Sequence, residues 1–254
     1  MSAPTLREWL AEGPFALAMS SGFFGFFAHA GALSAVLDAG FTPSRTAGSS
    51  AGALVAGMHA GGVSPDTTRE RLFTLRREDF WDPSPGAGLL RGGLFRALLD
   101  EVLQGASIES SRVPFAASVF DLRSRRTAVL REGSLAAAIH ASCALPVLFH
   151  PVRVGERLYS DGGIADRPGV MGVADAPRVL YHHLASRSPW RRAGSTSLRV
   201  PTREGMAAVS IEGITRVNPF ALHRGMTAYA EAERAMRRAM NGPLRDGVVR
   251  LSAG

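Results

Sequence analysis

The 254-residue sequence contains no lysine, and all 29 of its basic residues are arginine. That bias points to a GC-rich bacterial genome rather than to a specialised surface. A single cysteine, Cys143, excludes an internal disulfide, a Cys-rich zinc site and a Cys-x-x-Cys redox centre. Blocks of like charge are absent as well. The net charge is +7, yet the densest basic clusters are pairs such as Arg125–Arg126, Arg191–Arg192 and Arg237–Arg238. Without a basic arm or a recognisable nucleic-acid motif, nucleic acid is not an expected partner. The charge reads as a general surface property, and its sharper implication is peripheral contact with an anionic membrane. No internal repeat, low-complexity tract or linker divides the chain. With 46% apolar and 20% charged residues, it reads as one globular domain over residues 1–254, large enough to bury a core without staples.

What is present begins with three long uncharged stretches. The first, Gly13 to Leu37, runs for 25 residues and raises the question of a membrane span or a signal peptide. Ser20, Ser21, Gly22, Gly25, His29 and Gly31 are costly in a lipid-facing helix. The preceding leader carries Glu8 and Glu12 against Arg7, unlike a positive n-region. The expectation is an unprocessed, cytoplasmic chain. Thr46–Pro65 and Gly133–Val152 are similar in character, and three such stretches suit the buried centre of an α/β domain. The first divides into a strand (Phe15–Met19), a turn-rich loop and a helix (Phe26–Leu37). A second strand over Thr42–Ala47 and a helix of small residues over Ala51–Ala60 follow, a βαβα pattern that implies a parallel sheet. Pro65–Arg77, with Asp66 or Thr67 near its start, Leu94–Gln104 and Ser134–Ala144 read as helices. Pro114–Phe120, Thr127–Arg131, Arg178–Leu184 and Met206–Ile211 read as strands, and Val152–Val154 with Leu158–Ser160 as a hairpin. Asp79–Gly93 reads as a mobile flap. Asn218–Pro219 reads as the cap of a last helix whose stripe of Leu222, Met226, Tyr229, Ala232, Met236 and Met240 faces the core.

Gly48-Ser49-Ser50-Ala51-Gly52 fits Gly-x-Ser-x-Gly between a predicted strand and a predicted helix. In that context the motif forms a sharp elbow that exposes the central hydroxyl beside unpaired helix N–H groups. The loop Ser21-Gly22-Phe23-Phe24-Gly25 follows the first strand, and its N–H groups are placed to converge on an oxyanion. A dinucleotide loop is the rival reading. Only Gly22 and Gly25 are present, and no acidic residue follows in the expected strand context. Ser160-Asp161-Gly162-Gly163 supplies a carboxylate at a turn. A serine nucleophile needs a base, and His182 or His183 would complete a Ser, Asp, His order, although Ser50 comes early for an α/β-hydrolase. His29 reads as a buried hydrogen-bonded residue, His182–His183 as a strand pair with one side exposed, and Cys143 as a small core residue.

The Ser21–Gly25 loop leading into Ala28-His29-Ala30-Gly31, the Gly48–Gly52 elbow with Ala53-Leu54, and Asp161-Gly162-Gly163 together resemble the patatin-like phospholipases. Ala141-Ser142-Cys143-Ala144-Leu145-Pro146 and the Val119-Phe120-Asp121-Leu122 turn are similar to that family too, and the resemblance covers about residues 14–168. It implies a single α/β domain with a parallel-centred sheet flanked by helices. It further implies a lipid acyl hydrolase, of phospholipase A or esterase type, without metal or cofactor. Ser50 is then the nucleophile and Asp161 the base. Ser21, Gly22, Phe23 and Ala51 supply oxyanion N–H groups, while Gly25, Gly48, Gly52, Gly162 and Gly163 shape the loops. The sequence departs from the family pattern at Ser20 and Ser21, where glycines are usual, and at Phe24, where an arginine is frequent. Two other readings remain open: a Ser-His-Asp carboxylesterase, and a non-catalytic protein of this fold that binds lipid or a partner.

Overall fold

The uncharged stretch at 13–37 resolves into strand, loop and helix in the computed structural model, which describes residues 3–185 and 199–254. The Arg191–Arg192 pair lies outside them. A capped helix α1 (Leu6–Ala11), not anticipated above, comes first; Thr5 and Glu8 form its capping box. Then come β1 (Ala16–Met19), α2 (Phe26–Asp38), β2 (Arg45–Ser49), α3 (Ala51–Ala60) and α4 (Pro65–Thr74). The second strand starts later than Thr42, because its ladder with β1 pairs Ala16 with Arg45 and Met19 with Gly48. It therefore runs directly into Ser50. Asp66 and Thr67 lie in the first turn of α4 as expected, and its cap is Ser64, whose hydroxyl accepts the Thr67 N–H.

The chain continues through β3 (Gly88–Leu90), α5 (Gly93–Leu103), β4 (Phe115–Asp121), β5 (Arg126–Leu130), α6 (Leu135–Ser142) and β6 (Val147–Phe149). It closes with β7 (Val152–Val154), β8 (Arg157–Asp161), β9 (Val179–Leu184), β10 (Met206–Glu212), α7 (Gly225–Met240) and β11 (Val248–Ser252). The start of α7 differs from expectation. The Asn218 side chain accepts the Phe220 N–H at 2.9 Å and so caps a turn. A 3-10 turn at Leu222–Arg224 intervenes before the helix proper. Tyr229, Ala232, Met236 and Met240 are core, but Met226 is 55% exposed. The expected mobile flap is also tied down. Its β3 pairs with β6, Ser84 N–H donates to the Leu89 carbonyl, and the Asp82 carboxylate accepts the N–H groups of Gly92, Gly93 and Leu94 at the start of α5.

Among the described residues the main sheet has nine strands in the order β11-β10-β9-β1-β2-β4-β8-β7, with β5 also on β4. The six from β11 to β4 are mutually parallel; β5 and β8 run antiparallel to β4. The main core lies between one face and the helices, built from residues such as Leu17, Met19, Phe27, Val55, Ile139, Val209 and Met236. The opposite face is lined by alanines, including Ala16, Ala18, Ala47 and Ala116, and is covered by Val173 and Ala176. Small side chains are required there because the covering segment approaches closely. A Cβ on Gly172 would lie 2.7 Å from both Ala47 and Ala116 Cβ. No described helix is long and apolar enough to cross a membrane.

The packing of α2 on α7 is as close. A Cβ on Gly31 would lie 2.2 Å from the Tyr229 carbonyl oxygen and 3.2 Å from the Glu233 nitrogen. An alanine normally strengthens a helix interior by about 1 kcal/mol over glycine, but here it meets main chain that cannot swing away. Gly31→Ala is expected to destabilise by about 1–3 kcal/mol, the overpacking range, read as a lower urea midpoint at unchanged slope.

Candidate active site

Ser50 stands between β2 and α3 with φ 53° and ψ −120°, a main-chain conformation costing on the order of 1–3 kcal/mol outside glycine. Its neighbours make that bend sterically feasible. A Cβ on Gly48 would lie 2.4 Å from the Gly52 carbonyl carbon, and one on Gly52 would lie 2.2 Å from the Met19 carbonyl oxygen. The elbow thus folds onto itself and onto the end of β1, and both flanking positions demand glycine. Two side chains from the end of α6 grip the strained peptide. The Ser50 N–H donates to Ser142 Oγ at 2.9 Å, and the Cys143 thiol donates to the Ser50 carbonyl at 3.3 Å. Ser142, fully buried, donates in turn to the Ser118 carbonyl at 2.7 Å. Cys143 is accordingly a hydrogen-bonding member of the site as well as a small packed residue.

Asp161 reaches this elbow through β-ladder geometry. Strand β2 pairs with β4 as far as Ser118, and β8 takes over at Val119, opposite Asp161. Both use one edge of β4. Main-chain groups alternate along a strand, and the bonds Thr46 N–H to Pro114 O and Leu122 N–H to Leu158 O involve even-numbered residues. The Arg125 N–H, in the turn leading into β5, donates to the odd-numbered Asp121 carbonyl on the other edge, where β5 pairs. Two antiparallel strands therefore end against each other, with Ser50 following the last residue of β2 and Asp161 being the last residue of β8. The turn after Asp161 completes the approach. A Cβ on Gly162 would lie 2.0 Å from the Ser118 carbonyl oxygen and 2.8 Å from Ser49 Oγ. One on Gly163 would lie 2.5 Å from Ser21 Oγ. Asp161 is 3% exposed, and its Oδ1 accepts the Gly163 N–H at 2.7 Å. Burial and the nearby Asp161 carboxylate both push the Cys143 thiol pKa up. The thiol thus sits beside both Asp161 and the Ser50 carbonyl.

The loop at 20–25 closes the site on its other side, and here one expectation is corrected. The Ser21 N–H donates to the Arg167 carbonyl at 2.7 Å, so it is already occupied and is not an oxyanion donor. Among the described residues, the N–H groups of Gly22, Phe23 and Ala51 have no protein acceptor. Ser20 is a strut: its hydroxyl accepts the Leu184 N–H at 2.9 Å, and Arg167 donates to the Leu184 carbonyl at 3.0 Å. Leu184 packs under both loop glycines, where a Cβ would lie 2.5 Å (Gly22) or 2.2 Å (Gly25) from its Cδ1. Phe24 occupies φ 52°. The 162–170 segment is fixed by Asp166, which accepts Ser118 Oγ at 2.7 Å and the N–H groups of Gly169 and Met171. Sequence reasoning did not single out Ser142, Asp166 or Arg167; the Ala141–Pro146 stretch was the one signal available for Ser142.

The histidines lie elsewhere. His29 Nε2 is 2.7 Å from the Ser20 carbonyl, and His29 Nδ1 is 2.8 Å from His182 Nδ1. A carbonyl only accepts, so His29 carries its proton on Nε2 and accepts at Nδ1 from His182. His183 bonds Tyr181 OH at 2.9 Å. Both members of the 182–183 pair are buried, at 1% and 3% exposure, correcting the expectation that one side is exposed. Their strand faces inward on both sides of a parallel sheet. The contacts shown for both histidines use Nδ1, to His29 and to Tyr181. Among the described residues no cluster suits a metal ion.

Burial holds His29, His140 and His183 to about 4 and His182 well below the ordinary value of 6.5. Between those values the unfolded chain binds protons that the folded one refuses. Stability is therefore complete above about 6.5 and falls as pH drops towards about 4. Urea midpoints measured across this range should decline, and His29→Gln, which removes one such imidazole, should flatten the decline.

Residues 17–174 match the family model described as patatin-like phospholipase. An uncharacterized NTE family protein of Mycobacterium bovis is 34% identical over 171 residues, covering 65% of this chain and 48% of its own. Another NTE family protein, from Mycobacterium tuberculosis, is 28% identical over 162 residues, covering 63% and 28%. The chain thus spans about half or less of the curated relatives it matches. The crystal structure of VipD from Legionella pneumophila shares the fold, with a TM-score of 0.54 at 12% identity over 92% of this chain and 67% of that one.

Proposed function

We propose that this chain, which belongs to the patatin-like phospholipase family, hydrolyses acyl esters of lipids with Ser50 as nucleophile and Asp161 as general base. The observation that carries this reading is the head-on meeting of β2 and β8 on one edge of β4. It supports the reading by directing the end of β8, which carries the buried Asp161, towards the strained elbow that carries Ser50. Asp161 takes the proton from Ser50 Oγ as the oxygen attacks the ester carbonyl. The N–H groups of Gly22, Phe23 and Ala51 donate to the developing oxyanion, aided by the positive end of α3. The alcohol leaves with the proton, and water activated by the same carboxylate then releases the acyl group. A lipid acyl chain is favoured by the apolar surroundings of the oxyanion loop, where Phe23, Phe24 and Phe26 form successive ring contacts.

A serine-reactive fluorophosphonate should label the wild type and not Ser50→Ala. Asp161→Asn, folded, should lose at least about a hundredfold in turnover, the scale of a general base. His182→Gln and His183→Gln should stay within about tenfold; a folded histidine variant as inert as Ser50→Ala would restore the histidine triad. A wild type inert to probe and esters alike would establish the non-catalytic reading.

Ser142 acts through Ser50 rather than on substrate. Ser142→Ala deprives the strained N–H of its acceptor, at a cost of about 1–3 kcal/mol for an unmet buried donor. Turnover should fall by about tenfold or more with KM little changed, and Ser142→Thr, which keeps the hydroxyl, should recover most of it.

A further inference from the structure

The most exposed aromatic side chain among the described residues is Phe220, at 72%. It is not on a loose end: Asn218 accepts the Phe220 N–H through its side chain and the Ala221 N–H through its carbonyl. Its ring begins a continuous line. Phe220 contacts Trp81 with centroids 5.9 Å apart, Trp81 contacts Phe80 at 6.5 Å, Phe80 contacts Phe24 at 6.0 Å, and Phe24 contacts Phe23 at 4.9 Å. The line ends in the oxyanion loop, where Phe23 is 54% exposed. The Arg77 guanidinium lies over the outer end, 5.7 Å from the Trp81 centroid and 5.4 Å from that of Phe220.

We propose that this aromatic strip docks the protein on an anionic lipid bilayer, with Phe220 and Trp81 entering the headgroup region and Arg77 meeting lipid phosphate. The choice of a lipid surface rests on the acyl-hydrolase reading. Charge supports it independently. The segment 216–224 carries Arg216, His223 and Arg224 and no carboxylate. In the segment 80–93 the one carboxylate, Asp82, is consumed by three N–H groups at the start of α5. Asp79 is engaged by the Arg76 N–H, and Glu78 lies 3.8 Å from Arg77. Aromatic rings interleaved with arginine suit the boundary between headgroups and acyl chains, where ring bodies are apolar and cations find phosphate. The strip leads from that boundary to the loop that would hold the ester, so docking and substrate delivery share one surface.

The test is sedimentation of the whole chain with vesicles of phosphatidylcholine plus phosphatidylglycerol, beside phosphatidylcholine alone. Wild type should bind the anionic vesicles, and added salt should weaken binding. Phe220→Ser should bind about tenfold more weakly, the scale of one lost apolar side chain. Arg77→Gln should bind about fivefold more weakly, and only to the anionic vesicles, as expected for one cation of about 1 kcal/mol near such a surface. Phe220 is exposed and the Arg77 side chain half-exposed, and both variants should retain wild-type turnover of a short, soluble ester. Ser50→Ala should bind vesicles as wild type does while hydrolysing nothing. Wild type absent from both vesicle types, or both strip variants binding as wild type, overturns the proposal. So does a single-stranded oligonucleotide that displaces the protein from vesicles. A wild type that binds vesicles through the strip but is inert to the fluorophosphonate leaves docking standing and removes the acyl-hydrolase reading, so the two fail separately.

Discussion

Ser50 is held in a main-chain conformation that L-residues rarely adopt, and much of the surrounding structure can be understood as what it takes to keep it there. A strained peptide persists only when its polar groups and its packing leave it no alternative. Its N–H is bound by Ser142 and its carbonyl by Cys143, so relaxing the bend would break two half-buried hydrogen bonds. The glycines at 48 and 52 let helix and strand close to backbone contact, which removes the space into which the elbow could unwind. The hydroxyl is thereby presented at one point, independent of side-chain flexibility elsewhere.

A second consequence of burial is the way the loop at 20–25 is anchored. Main-chain groups at the ends of buried parallel strands need partners, and four residues supply them here. His29, Leu184, Arg167 and His182 all bond to residues 20 and 21 or to one another. The serines that stand where glycines are usual in the family are absorbed by this arrangement. Ser20 spends its hydroxyl on Leu184, and the Ser21 side chain packs against the Asp161–Gly163 turn. Their Cβ atoms occupy space that the fold provides, which leaves the freedom of glycine necessary only at 22 and 25, where Leu184 crowds the main chain.

The same loop faces outward as an aromatic surface. Phe24 joins the flap through Phe80, and the flap itself is pinned by Asp82 and by the β3–β6 pairing. Exposed rings on rigid supports are pre-organised for contact, since little conformational entropy remains to be lost on docking. The loop at 20–25, the flap and the turn before α7 are therefore joined by ring contacts although they are far apart in the chain.

Local sequence determined the elements of this protein and the position of its glycine-flanked elbow. Short apolar runs became buried parallel strands, small-residue stretches became close-packed helices, and Ser134 capped its helix as its hydroxyl allows. The Gly-x-Ser-x-Gly elbow is legible because backbone crowding is a local demand. Where several local solutions compete, sequence misled: Asn218–Pro219 could cap a helix or a turn, and only the path towards Trp81 selected the turn. The junction of β2 and β8 was not legible at all. It depends on which edge of β4 each strand takes, a long-range choice made by packing and ladder register rather than by any residue near Asp161. Nor could the sequence assign the Ser21 N–H to Arg167, or seal His29 against His182. Hydrogen-bond partners more than a hundred residues apart are chosen by the tertiary structure, because only there do buried polar groups compete for the same few acceptors.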